Sequence, residues 1–116
     1  MSRKTRDTAA RLQACALIFA ALGQETRLSL IAKLAHGHPL SISQLTEGSK
    51  LTRQAVTRHL QVLEDAGLVH SKPAGRELLF ELDTLPFKDM GDYLHFVSDQ
   101  WDNALGRLKS FLETSK

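Results

Sequence analysis

The stretch from Leu51 to Leu82 narrows the choice of folds more than any other part of this chain. Thr52 is a good N-cap, because its hydroxyl can accept from an open backbone N–H at a helix start. Val56, Leu60 and Leu63 follow at spacings of four and three, which predicts one buried helix face. Gly67 stops that helix. Leu68–Lys72 then reads as a strand, Pro73-Ala74-Gly75-Arg76 as a turn, and Glu77–Leu82 as a returning strand. Leu78, Phe80 and Leu82 alternate, which predicts that all three face the core. A two-stranded hairpin is unstable alone, so it must lie against helices.

Those helices are legible on either side. After a basic arm over residues 1–6, expected to be mobile, an apolar helix is predicted from Asp7 or Thr8 to Gly23. Leu12, Cys15, Ala16 and Phe19 form one stripe on it, and Leu17, Ile18, Ala21 and Leu22 carry apolar groups onto other faces. A helix that is apolar almost all round must be covered on more than one side. A second helix is predicted from Glu25 to His36, with Leu28, Ile31, Ala32 and Ala35 inward, Leu30 and Leu34 beside them, and Gly37 and Pro39 as its stop. A short helix at Ile42–Gly48 and a tight turn through Leu51 complete a helix-turn-helix over 41–66, with the wing at 68–82. Residues 86–113 form a long last helix, striped by Phe87, Met90, Leu94, Val97, Trp101, Leu105, Leu108 and Leu112. The expected fold is mostly α with a small β-hairpin: one winged helix-turn-helix domain over 1–116, flanked by dimerisation helices at 7–23 and 86–113.

Composition sets the outer limits. A chain of 116 residues, 42% hydrophobic and 24% charged, suits one modest globular core. The longest apolar run, Ala14–Leu22, is far short of the roughly 18–20 residues of a membrane span. With Arg11 close to that run and amphipathic sequence following directly, a signal peptide is not expected. The lone Cys15 excludes an internal disulfide and suggests a reducing, cytoplasmic setting. No glycine-rich phosphate loop, nucleophile–histidine–acid set or carboxylate pair suggests catalysis or a cofactor.

Charge is uneven. Residues 1–49 and 50–76 each carry +3, while 77–116 carry −4. A basic front suits a polyanion, and the helix after Leu51 has the matching chemistry. Its outward residues are Arg53, Gln54, Ala55, Thr57, Arg58 and His59, with no acid until Glu64. Glutamine pairs bidentately with adenine, arginine with guanine, and alanine permits close approach to a thymine methyl. Arg53, Gln54 and Ala55 are therefore the expected base readers of double-stranded DNA. Lys50, Thr57 and His59 suit phosphates, and Arg58 suits either partner. Lys72 and Arg76 flank the hairpin tip, where they suit a backbone or minor groove. A winged-helix protein-interaction module is the competing reading, and it would be expected to lose cations from this face.

Ala21-Leu22-Gly23-Gln24-Glu25-Thr26-Arg27-Leu28, Thr57–Val69 and the wing Gly75-Arg76 together resemble the ArsR/SmtB-type repressors over about residues 12–82. The resemblance implies a homodimer built from the first and last helices, binding an inverted repeat and blocking transcription. It places Gln54, Thr57, Arg58 and His59 at the DNA and gives Arg27 a structural or phosphate-binding role. The expected interface residues are Leu12, Cys15 and Phe19 on the first helix and Leu94, Val97, Trp101, Leu105 and Leu108 on the last. Metal-sensing members carry a Cys-x-Cys pair where this chain has Ser41 and Ser43, and serine is a poor ligand for thiophilic ions. Asp92, His95 and Asp99 lack the spacing of the other known site, so no metal is expected. Ser98–Leu105 resembles a metal-independent branch of the family.

Overall fold

The computed structural model describes residues 3–114, with side chains from residue 9 onward. The elements follow in the order α1 (Arg3–Leu22), α2 (Glu25–Leu34), β1 (Leu40–Ser41), α3 (Ile42–Thr46), α4 (Arg53–Asp65), β2 (Val69–Ala74), β3 (Glu77–Leu82) and α5 (Thr84–Thr114). The chain divides into two units, Met1–Pro86 and Phe87–Lys116.

Helix α4 is the most fully specified element of the first unit. Thr52 caps it by accepting from the Ala55 amide at 3.1 Å. Val56, Leu60 and Leu63 are buried along one face. At the other end the Gly67 amide donates to Glu64 and the Leu68 amide donates to Leu63, both at 2.9 Å, which is the Schellman closure. That closure needs a left-handed residue, and Gly67 supplies it at φ 78°. The apolar contact that accompanies such a closure is available too, since Leu63 and Leu68 are both fully buried. One glycine therefore ends the helix and turns the chain into β2.

Around α4 the unit packs Ile18 and Ala21 of α1, Leu30 and Leu34 of α2, Leu45 of α3, and Val69 and Phe80 of the strands. The sheet has three antiparallel strands in the order β1-β3-β2, one more than the expected hairpin. The extra strand pairs Leu40 with Phe80 and Ser41 with Leu79, fastening the start of the helix-turn-helix to the wing. Strand β2 runs on through Pro73 and Ala74, so the turn contracts to Gly75 and Arg76. Positive φ falls on Gly75 alone, the first of the two turn residues, as in a type II′ hairpin.

Several expectations need correction. Residues 3–6 belong to α1 and are not a separate arm; Met1 and Ser2 lie outside the described residues. Helix α2 ends at Leu34 and buries Leu30 and Leu34, whereas Leu28 is 51% exposed and Ala32 and Ala35 are also exposed. Both stripes have helical spacing, and α2 turns the 30/34 edge inward because it must face α4 and β3 together. Leu78 is exposed, since it sits near the hairpin tip opposite Pro73, beyond the reach of the core. Helix α3 stops at Thr46, where the Lys33 ammonium donates to the Leu45 carbonyl at 3.0 Å and satisfies one of its open C-terminal acceptors.

The second unit is the body of α5. Leu94, Phe96, Trp101, Leu105, Leu108, Phe111 and Leu112 along it are all more than half exposed. On α1, Leu12, Leu17 and Phe19 are exposed as well, and Cys15 is partly covered. No single described helix is long and apolar enough to cross a membrane.

Candidate nucleic-acid interface

Helix α3 is short, so its position has to be fixed from outside. Ser41 does this with a capping box: its hydroxyl accepts from the Gln44 amide at 3.2 Å, and the Gln44 side chain accepts from the Ser41 amide at 2.9 Å. Leu45 then locks the helix into the core. With α3 and the inner face of α4 both immobilised, the outer face of α4 is presented rigidly. Arg53, Gln54, Thr57 and Arg58 are exposed on it, Ala55 and His59 are partly covered, and Lys50 is exposed in the preceding turn.

This face is cationic by omission as well as by content. Helix first turns are stabilised by acids, yet the first turn of α4 has none. The helix's own carboxylates lie at its far end and are hydrogen-bonded. Glu64 accepts from the Ser71 hydroxyl at 3.3 Å, and Asp65 accepts from the Gln61 amide group at 2.8 Å. The positive end of the helix dipole is left open to an external anion. Thr57 turns its hydroxyl hydrogen back to the Arg53 carbonyl at 2.7 Å, so in this conformation its oxygen faces outward only as an acceptor.

Beside the face lies an open cleft of about 370 Å³, lined by Gln24, Arg27, Ala55, Arg58, His59 and Val62. Arg27 has a structural role here. Its guanidinium donates to the Ala21 carbonyl, to the Ala20 carbonyl at 3.4 Å and to the Gln24 side chain at 2.6 Å. It thereby occupies carbonyls at the end of α1 and pins the corner between α1 and α2. At the wing, Lys72 pairs with Glu81 at 3.5 Å, an exposed contact of little strength. Arg76 is exposed at the turn, with no ion pair among the described residues.

Residues 22–72 match a helix-turn-helix domain family. The chain is 38% identical over 79 residues to the uncharacterized HTH-type transcriptional regulator YuzN of Bacillus subtilis, an alignment covering 63% of this chain and 86% of YuzN. The ArsR-like transcriptional regulator from Rhodococcus sp. RHA1 is similar in structure, with a TM-score of 0.76 and 30% identity, covering 86% of this chain and 93% of that one. The chain belongs to the ArsR-type winged helix-turn-helix transcriptional regulators. It is also 41% identical over 63 residues to the HTH-type transcriptional regulator Rv2034 of Mycobacterium tuberculosis, covering 54% of this chain but only 58% of Rv2034. A homodimeric winged helix-turn-helix DNA-binding domain from Mycobacterium bovis shares the fold at 22% identity, with a TM-score of 0.64 and coverage of 90% and 91%.

In this ArsR-type regulator the position of Ser41 has a physical explanation, because its side chain is the cap that α3 requires. On α5, His95 and Asp99 approach to 3.8 Å as an exposed pair. Among the described residues no three His, Cys, Asp or Glu side chains gather in a way that could hold a metal ion.

One titratable contact ties the wing to the start of α5. Asp83 accepts from His70 Nε2 at 2.7 Å and from the Leu85 amide at 3.0 Å. The hydrogen bond with His70, then that of Leu85, holds the Asp83 carboxyl below its ordinary range. A carboxylate with a depressed pKa adds stability above its unfolded value, about 3.9, and loses it as pH falls through the folded value. Below about pH 4, the melting midpoint of the wild type is therefore expected to fall more steeply than that of Asp83→Asn. Parallel curves over that window would show that the pair contributes nothing.

Proposed function

We propose that this protein is a homodimeric, sequence-specific repressor that binds an inverted-repeat operator. The observation that carries the reading is the acid-free, exposed front of α4, held in place by a fully buried seam. In this reading Arg53, Gln54 and Ala55 meet base edges, Lys50, Arg58 and His59 engage phosphates or, for Arg58, a base, and Thr57 reaches a phosphate by turning its hydroxyl hydrogen away from the Arg53 carbonyl. Lys72 and Arg76 bring the wing to the backbone or minor groove. The protein acts in the cytoplasm by occupying DNA and not by catalysis.

The dimer would join α1 through Leu12, Cys15 and Phe19 and α5 through Leu94, Val97, Trp101, Leu105 and Leu108. Large aromatic and aliphatic groups left exposed on each of the two helices support this, because such surface marks an interaction site. The homodimeric relative from Mycobacterium bovis supports it too. Two recognition helices about 34 Å apart would meet successive major grooves.

The test is a mobility-shift titration at rising salt, using duplexes that the protein selects from a random library and unselected duplexes as competitors. Binding to both is expected to weaken steeply with salt, with the selected inverted repeat retained where unselected DNA is released. Light scattering should give twice 12.9 kDa. A monomeric mass, or selection of no inverted repeat, would overturn the reading. Arg76→Ala should weaken binding to selected and unselected duplexes alike and make the salt slope shallower by about 1. An unchanged slope would remove the wing from the interface.

A further inference from the structure

We infer that Ser43 of α3 is a positioning residue for base recognition, holding the Arg53 guanidinium in its reading orientation. Arg53 begins α4 and Ser43 lies in the first turn of α3, ten positions earlier. Arg53 Nη1 donates to Ser43 Oγ at 3.0 Å, although both side chains are exposed. Ser43 stands on a fixed backbone, because α3 is held by the Ser41–Gln44 capping box, by buried Leu45 and by Lys33 on the Leu45 carbonyl, and its short side chain has a single rotatable bond to its oxygen. The other component is therefore the one whose freedom is restricted. Arginine loses rotamer entropy whenever it is held for binding, and a contact already present in the free protein removes part of that loss in advance.

The geometry also leaves the right donors open. A guanidinium presents five N–H groups in a planar fork, and the contact with Ser43 engages only one nitrogen, Nη1. The Nε–Nη2 edge makes no hydrogen bond or ion pair among the described residues, and it has the spacing for a bidentate pair of acceptors such as guanine O6 and N7. Ser43 thus selects which edge of Arg53 faces outward without touching the DNA itself. The inference rests on α4 being the DNA-reading helix.

The experiment is a mutant cycle read on duplexes that the wild-type protein selects from a random library, together with single-base-pair variants of them and unselected duplexes. Ser43→Ala is expected to lower affinity for the selected duplex by about three- to tenfold. The loss should fall on discrimination at one base pair per half-site, with binding to unselected DNA and the melting midpoint unchanged. Ser43→Thr, which keeps the hydroxyl, should retain wild-type discrimination. In the Arg53→Ala background, Ser43→Ala should have no further effect. Additive losses, an equal loss on unselected DNA, or no loss would each overturn the role of Ser43 while leaving the repressor reading intact. If the wild type selects no duplex at all, the repressor reading fails first and this inference fails with it.

Discussion

Leu63→Ala should destabilise the first unit by about 2.7–5 kcal/mol, the range for deleting a buried leucine from a core that cannot fully collapse. Leu63 is fully buried in the inner seam of α4, and its carbonyl also accepts the Leu68 amide that closes the helix. Its side chain and Leu68 are the apolar pair expected across that closure, so the cavity would open where the chain leaves the helix for the wing. A domain of this size loses about 4 °C or more per kcal/mol, so the midpoint should fall by upwards of about 10 °C. Circular dichroism melts of wild type and variant measure this directly. A shift of only a few degrees would mean that the seam is looser than its burial implies.

Gln54→Ala should have the opposite profile, with stability unchanged and recognition impaired. Gln54 is exposed in the first turn of α4 and supports nothing beneath it, so the melting midpoint should stay within about 0.5 kcal/mol of wild type. If its amide pairs with adenine, the loss should be about 1–3 kcal/mol, or roughly 5- to 150-fold in affinity for the selected duplex. Binding to unselected duplexes, carried by phosphate contacts, should be unaffected. Fluorescence anisotropy on both kinds of duplex separates these terms, and an equal loss on each would move Gln54 from base reading to backbone contact.

The elements that local chemistry specifies were legible in the sequence. Thr52, the Val56–Leu60–Leu63 spacing and Gly67 determine α4 through contacts within a few residues of one another, and the helix forms as read. Features decided by tertiary partners were not legible. Strand β1 is two residues long and exists because β3 offers an open edge, so no periodicity announces it. Helix α2 carries two overlapping stripes, and only its neighbours choose between them. Pro73 reads as a turn residue, yet β2 is an outer strand, where a missing N–H is tolerated. The same division runs through the candidate site. The outward face of α4 follows from the buried one, whereas the Ser43–Arg53 contact joins two helices and has no local signature. The apolar stripe on α5 was readable from its steps of three and four, but exposed Phe96 and Phe111 fall outside it.

The sheet order has a consequence for how copies of this protein can and cannot associate. An exposed strand edge invites another chain to add to it, the route to domain swapping and fibrils. Here one edge is β1, too short to template anything. The other is β2, where Lys72 adds charge and Pro73 has no amide hydrogen to offer an incoming strand. Both outer strands are therefore poor templates for growth. Open-ended strand addition is thereby disfavoured, and the proposed helical dimer, whose contacts close after two copies, would not have to compete with it.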